Sequence, residues 1–205
     1  MPQAGLSLVE PISAPPERHP ILEAIHRRRS IGKVTAEVPE RSLIRRILEA
    51  GTWAPNHHLT EPWRFVVLEG EPRFELGKVM GAVAANRELD PERKEAAAAK
   101  AAAKPLRAPY VIAVAVEPSL DPSVPEIEEV AAGAAAIQNM LLAAEALGLA
   151  AMWRTGWIAF EPAVREHLGL STRAKVLGFV YVGFAAMVAP ERSRRDVDEL
   201  TTWRS

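Results

Sequence analysis

The sequence contains no cysteine and almost no net charge. Without cysteine, the chain can form neither disulfides nor thiolate metal sites, and it has no cysteine nucleophile. The formal net charge of −1 excludes a global electrostatic field that would attract nucleic acid or an acidic membrane surface. Any basic binding site must therefore be a local cluster.

Long uninterrupted hydrophobic runs are also missing. The most apolar stretch, from Val130 to Trp153, is interrupted by Gln138, Asn139 and Glu145. Such interruptions are typical of a buried core helix and unfavourable in a membrane span. The N-terminus has no basic segment followed by an apolar run, so we expect no secretory signal. These features predict a cytoplasmic protein with no membrane and no nucleic-acid partner.

The length and composition indicate one domain. The chain has 205 residues, of which 48% are hydrophobic, enough for one well-buried core and short for two. Residues 1–20 contain five prolines and are predicted to form an extended arm. Residues 21–205 are predicted to form a single domain.

Helical and strand patterns alternate along that domain. Strands are predicted at 63–68, 110–116, 149–155 and 176–183, and helices beginning at Pro20, Pro39, Pro72, Ile127 and Glu161. This alternation predicts an α+β (layered α/β) fold with a mixed central sheet flanked by helices. Residues 84–104 are mostly alanine, lysine, glutamate and arginine, which favour helix but offer few large apolar anchors. We expect this segment to be a loosely docked, lid-like helix.

Several common sites are absent from the sequence. There is no Gly-x-Gly-x-x-Gly, no Gly-x-x-x-x-Gly-Lys and no Gly-x-Ser-x-Gly pattern, which argues against a Rossmann site, a phosphate-binding P-loop and a serine hydrolase elbow. The five histidines include the adjacent pair His57-His58 but no His-Glu-x-x-His spacing, so no metal site is predicted.

The first positive feature is the run His26-Arg27-Arg28-Arg29-Ser30. Cations at the C-terminal end of a helix interact favourably with its dipole, which is one sufficient explanation. The alternative is a phosphate-binding site, because arginine offers forked donors to phosphate and serine adds a directional hydrogen bond.

Three further segments carry candidate ligand contacts. Residues 53–63 include two prolines, two tryptophans, Asn56 and His57. A helix–strand connection whose aromatic side chains fill the core would explain Trp63, but it would not explain Asn56 and His57. Arg154 follows a buried strand within Trp153-Arg154-Thr155-Gly156, so it needs an anionic or carbonyl partner, and an internal carboxylate could serve. The tail arginines 192, 194 and 195 are either a solvated charge run or part of a site.

The order of these features resembles the nitroreductase family. The resemblance rests on Arg28-Arg29-Ser30, on Ala54-Pro55-Asn56-His57 running into Glu61-Pro62-Trp63, on Trp153-Arg154-Thr155-Gly156, and on the strand from Lys175 to Gly183. It runs from about Ile21 to Trp203 and is greatest for a small, compact bacterial subgroup. One departure is Glu61, where many members have glutamine.

The resemblance implies a homodimer with FMN bound non-covalently at the dimer interface. Carried over by position, Arg28, Arg29 and Ser30 would contact FMN, with the two arginines serving its phosphate and its pyrimidine side in an order left open. His57 would reach the cofactor of the partner subunit, Trp153, Arg154 and Thr155 would line the flavin ring, and Arg194 would be a further phosphate ligand. Arg154 is also a candidate for stabilising charge on the flavin.

The function implied is the ping-pong reduction of nitroaromatics, quinones or similar small acceptors by NAD(P)H, with the redox chemistry carried by FMN. Within the same superfamily, flavin fragmentation, dehalogenation and ene-type reduction are alternatives. Outside it, the alternatives are a non-catalytic flavin-binding or storage protein and an interaction protein with no cofactor.

Overall fold

A four-stranded sheet forms the centre of the computed structural model, which describes residues 19–189 and 191–204. Its strands are β1 (Trp63–Glu69), β2 (Tyr110–Val116), β3 (Ala150–Arg154) and β4 (Lys175–Gly183), in the spatial order β1-β2-β4-β3. The predicted α+β class is confirmed. The three pairings between these strands are all antiparallel, so the mixture of strand directions that we expected is not seen in them.

Strand β2 lies at the centre of the core. All seven of its residues are buried because helices cover both faces of the sheet. Its side chains alternate between the two faces, so that Ile112 and Val114 pack with Ile137 of the long helix, whereas Val111 and Ala113 pack with a second apolar cluster on the opposite face. The continuous apolar sequence of β2 follows from this double coverage.

In the described part of the chain, six α-helices surround the sheet, and four of them have a proline in their first turn, a position that needs no backbone N–H donor. They are α1 (Pro20–Arg27), α2 (Arg41–Thr52), α3 (Glu71–Arg87), α4 (Pro91–Ala102), α5 (Glu126–Ala146) and α6 (Pro162–His167). The predicted helices are confirmed, with starts that differ by at most two residues. Among the described residues, no helix is long and apolar enough to cross a membrane. Except for its last two residues, the predicted N-terminal arm lies outside the described part.

The alanine-rich segment 84–104 is helical but not continuous. Helix α3 ends at Arg87, and α4 begins after Asp90, whose side chain accepts a hydrogen bond from the Glu92 N–H at 3.0 Å. A Cβ atom added to Gly77 would lie 2.5 Å from the carbonyl oxygen of Ala102, so α3 and α4 approach too closely for a side chain there. The segment is therefore closely docked, contrary to the loose docking that we expected. Its role as a lid stays a prediction.

The chain after α1 follows the edge of the sheet. The Ile31 N–H donates to the carbonyl oxygen of Ala151 in β3 at 3.2 Å, and the Thr35 N–H donates to that of Phe184, just after β4, at 2.8 Å. Because β3 is an edge strand, these bonds fix the loop from Arg28 to Thr35 beside Arg154. The fold thereby joins two segments that are more than a hundred residues apart.

Candidate functional site

A pocket of about 490 Å³ lies at the C-terminal end of α1. It brings together three of the predicted residues, Arg28, Arg29 and Arg194. Gln138, from the middle of α5, and Arg192 line it as well. Arg192 was predicted only as part of a charged tail, and Gln138 only as a polar interruption in a core helix. A pocket with four arginines on its wall is suited to a multiply charged anion such as a phosphate.

The three arginines of the α1 run have different partners. Arg27 forms a double contact with Glu145 of α5, at 2.5 Å from Nε and 3.2 Å from Nη2, and this hydrogen bonding and charge raise the pKa of Arg27. Arg29 donates from Nη1 to the carbonyl oxygens of His26 and Arg28, which caps the end of the helix. One arginine thus forms an ion pair, one caps the end of the helix, and Arg28 does neither, so the phosphate-binding alternative stays a prediction.

Within the described part of the chain, Arg28 differs from its two neighbours because its side chain has no hydrogen-bond partner there. Helix α1 ends at Arg27, and the extended ψ of 130° at Arg28 turns the chain out of the helix. The Arg28 side chain is half-buried, and its Nη1 atom is fully buried with no hydrogen-bond partner among the described residues. An unsatisfied buried donor costs about 1–3 kcal/mol, which an anion bound in the pocket would offset.

A second pocket, of about 290 Å³, holds the predicted group Trp153, Arg154 and Thr155. The Trp153 indole N–H donates to the carbonyl oxygen of Leu177 at 3.1 Å, which fixes the ring at the edge of the sheet. Among residues 19–189 and 191–204, no carboxylate forms an ion pair with Arg154, so the internal carboxylate that the sequence left open is not found there. The other residues that line this pocket are Met80, Lys104, Arg107, Met152, Ile158, Ala159, Phe179 and Tyr181.

Arg154 lies over an aromatic ring instead of a carboxylate. Its guanidinium carbon is 5.5 Å from the centre of the Tyr181 ring, a distance at which the cation is attracted to the ring face. Burial raises the pKa of Tyr181, so the phenol stays neutral and does not neutralise the arginine. The positive charge of Arg154 thus remains available to a ligand in the pocket.

The loop after α1 connects the two pockets. A Cβ atom on Gly32 would lie 3.1 Å from Arg154 Nη2 and 3.3 Å from Met152 Sδ, so the backbone of Gly32 runs directly past the guanidinium. The three-residue step from Arg29 to Gly32 spans at most about 10 Å. Ser30 lies on this step and is exposed. One elongated ligand could therefore contact the arginine pocket and Arg154 together.

His57 lies apart from both pockets in the structure. Its Nε2 atom is 3.4 Å from Glu128 Oε2, at the N-terminal end of α5. Gln138 of the arginine pocket comes ten residues later in the same helix, about 15 Å further along its axis. Within one chain, His57 is therefore not brought together with the other predicted residues.

The loop that carries His57 is held in an uncommon backbone conformation. His58, Leu59 and Glu61 have φ values of 53°, 53° and 46°, in the left-handed region that is unfavourable for these side chains. Asn56 stabilises the loop, because its Oδ1 accepts a hydrogen bond from the Glu61 N–H at 3.0 Å. Trp63 is the core plug that the sequence predicted, buried and donating to the Ala132 carbonyl oxygen at 3.2 Å.

Comparisons with known proteins agree on one family. Residues 25–184 match the nitroreductase family. The chain is 35% identical over 164 residues to an Escherichia coli K12 protein named "Putative NAD(P)H nitroreductase YdjA", covering 79% of this chain and 86% of that protein.

Two solved structures share the fold over nearly their whole length. A nitroreductase-like family protein from Bacillus cereus has a TM-score of 0.78 and 27% identity, covering 93% of this chain and 99% of that one. A protein from Desulfovibrio desulfuricans, described as a "putative nitroreductase in complex with FMN", has a TM-score of 0.70 and 31% identity, covering 92% and 98%.

Proposed function

The chain belongs to the nitroreductase family, and on that premise we propose that it is an FMN-dependent NAD(P)H oxidoreductase. Its substrates would be nitroaromatics, quinones or similar small electron-poor acceptors. The observation that carries the proposal is the arginine pocket, in which the buried Nη1 of Arg28 has no partner among the described residues. The Desulfovibrio relative with bound FMN supports the choice of cofactor.

The residues fit FMN at both ends of the molecule. Arg28, Arg29 and Arg194 would hold the phosphate, which needs several charge-assisted donors, and the exposed Ser30 beside them would add a hydroxyl donor. Gly32 leaves room for the ligand to pass toward Arg154. Trp153, Arg154 and Thr155 would then line the flavin ring. This assignment gives a ligand partner to the unpaired Arg28 and Arg154.

When bound, FMN supplies a two-electron redox centre that can take a hydride from NAD(P)H and give it to an acceptor. The chain itself would contribute a fixed positive charge at Arg154, placed where negative charge develops on reduction. The apolar residues Met80, Ile158 and Phe179 in the wall of the same pocket would limit access of water. Reductant and acceptor would occupy this one space in turn, which predicts ping-pong kinetics.

A homodimer would complete the site. His57 contacts α5 at Glu128, about 15 Å along the helix axis from Gln138 in the arginine pocket. Its contact to FMN would therefore have to be made across a subunit interface. Large apolar side chains are strongly exposed at Trp53 (81%), Leu59 (84%) and Trp203 (86%), and an interface that covered them would remove apolar surface from water. Analytical ultracentrifugation would test this, and a protein that is monomeric at micromolar concentration would contradict the shared site.

The absorption spectrum of the purified protein, recorded under anaerobic conditions before and after NADPH is added, tests the proposal. We expect a yellow protein that is bleached by NADPH and regains its colour when a quinone or nitroaromatic is added. A colourless protein that takes up no added FMN would contradict the proposal, and bound flavin that neither NADPH nor NADH bleaches would indicate a storage protein. A panel of acceptors would separate nitro and quinone reduction from flavin fragmentation, dehalogenation and ene-type reduction. The use of NAD(P)H favours a cytoplasmic location, which cell fractionation would test.

A further inference from the structure

A third pocket, of about 370 Å³, opens beside the pocket of Arg154. It lies between α3, α4 and the turn that contains Trp157. Lys104 lines both pockets, so the two cavities are adjacent. A molecule seated against Trp153–Thr155 could therefore extend past Lys104 toward Lys100.

The junction of these pockets carries positive charge without internal compensation. Lys100, Lys104 and Arg107 form no ion pair with any carboxylate in the part of the chain that the structure describes. Burial lowers the pKa of the half-buried Lys104, and the charges of Arg107 and Lys100 lower it further. The charged form of Lys104 would therefore be stabilised by an anion bound beside these three side chains.

The third pocket is also lined by one ion-paired cation, Arg87, and one carboxylate, Glu88. Arg87 lies 3.6 Å from Glu161 and 4.3 Å from the centre of the Trp157 ring, so its charge has partners. Glu88 also lines this cavity; its carboxylate accepts a hydrogen bond from the Asp90 N–H at 3.1 Å and forms no ion pair among the described residues. The cations left for a ligand are those at the junction with the pocket of Arg154.

We propose that Lys100, Lys104 and Arg107 bind the 2′-phosphate of NADPH, so that the protein prefers NADPH to NADH as its reductant. This rests on the function proposed above. A dinucleotide fits better than a small acceptor because an aromatic acceptor would fill only the pocket of Arg154, whereas Lys100 lines the adjoining cavity and not that pocket. A phosphate also matches three cations better than a single carboxylate does.

The close packing of α4 would make this subsite rigid. Gly77 and Gly81 of α3 bring its backbone against Ala102 and Ala98 of α4, which fixes the position of Lys100 on that helix. Because the backbone is already fixed, only the side chains lose conformational entropy on binding. The segment predicted as a lid would then serve as one wall of the reductant site.

Steady-state kinetics of the FMN-loaded protein with NADPH and NADH test the proposal. We expect kcat/KM to be at least about tenfold higher for NADPH, and the ratio to fall close to one in the double variant Lys100→Gln, Lys104→Gln. Lys104→Arg should keep most of the preference because it keeps the charge. Lys94→Gln, on the same helix but away from both pockets, is the matched control and should leave the ratio unchanged.

Isothermal titration with adenosine 2′,5′-bisphosphate and with adenosine 5′-monophosphate gives a readout independent of turnover. The bisphosphate should bind the wild-type protein more tightly, and the double variant should lose that difference.

Equal loss of NADPH and NADH activity in the double variant would assign the cations to the pyrophosphate and overturn the proposal. A raised KM for 4-nitrobenzoate with an unchanged coenzyme ratio would assign them to the acceptor, which also overturns it. A flavoprotein bleached equally well by both coenzymes would refute this inference alone, whereas a protein without flavin would refute the proposed function as well.

Discussion

Arg27 and Arg28 are neighbours in the chain, yet their electrostatic surroundings differ. Arg27 points to α5, where both of its contacts go to the carboxylate of Glu145. Arg28 lines the pocket and keeps a buried Nη1 with no partner among the described residues. A paired cation has its charge compensated within the protein, whereas an unsatisfied buried donor is a cost that a ligand can remove.

The same contrast separates two regions of the molecule. On the helical surface, cations such as Lys78 and Arg93 are paired with carboxylates one turn away, Glu75 and Asp90. Beside β3, Arg154 forms no ion pair with the described residues and lines a cavity. We therefore expect that substitution of the unpaired cations changes ligand binding and turnover, and that substitution of the paired cations does not.

The largest effect is expected for Arg154→Ala. Loss of a charge that stabilises the developing anion should lower turnover by about 100-fold or more in the FMN-saturated protein, and should shift the flavin midpoint potential to a more negative value. Stopped-flow reduction and spectroelectrochemistry would measure the two effects. Arg173→Ala is the matched control, since that arginine is paired with Glu117 at 2.9 Å. Unchanged turnover and potential in the Arg154 variant would show that its charge does not act on the flavin.

The next effect is expected for Arg28→Ala. Removal of charge-assisted hydrogen bonds to the phosphate should weaken FMN binding by about 10- to 100-fold, as measured by quenching of flavin fluorescence. Arg27→Ala, one residue earlier, should bind FMN almost as the wild type does. If both variants lost the cofactor to the same extent, the contrast between paired and unpaired arginines would be wrong.

Most of the fold could be predicted from local patterns. Prolines mark the starts of α1, α3, α4 and α6, and the apolar run of β2 follows from its buried position in the sheet. The direction of strand pairing could not be predicted in the same way, because it depends on how long connections cross the sheet and not on strand composition. The close docking of α4 was missed because the glycines that permit it lie in another helix.

The site could be predicted where its residues are consecutive and not where they meet only in three dimensions. The runs at Arg28 and at Trp153 are visible as sequence. Gln138 lies in the interior of a core helix, and Lys104 and Arg107 follow an alanine-rich stretch with no recognisable pattern. The sequence also cannot show which arginine in a run forms an ion pair, since the partner of Arg27 is 118 residues away.

A smaller effect is expected for His57→Ala, because His57 lies in the partly exposed contact with Glu128. Loss of one hydrogen bond to FMN should weaken binding by about fivefold, with His58→Ala as the neighbouring control.

Mixed dimers of His57→Ala and Arg28→Ala subunits provide a sharper test. If the site is shared between subunits, each mixed dimer has one intact site, and about half of the mixed dimers' sites should bind FMN normally. A site within one subunit would leave no intact site.

The smallest effect is expected for Glu145→Gln, which releases Arg27 from its ion pair beside Arg28. The Arg27 side chain is 68% exposed, and exposed ion pairs contribute little to stability. FMN affinity should therefore change by no more than about twofold, and the residual effect should fall as salt is added because exposed charges are screened. A clear gain in affinity would mean that the freed Arg27 can reach the phosphate. In that case the difference between Arg27 and Arg28 in FMN binding would be caused by the ion pair with Glu145 and not by the end of the helix at Arg27.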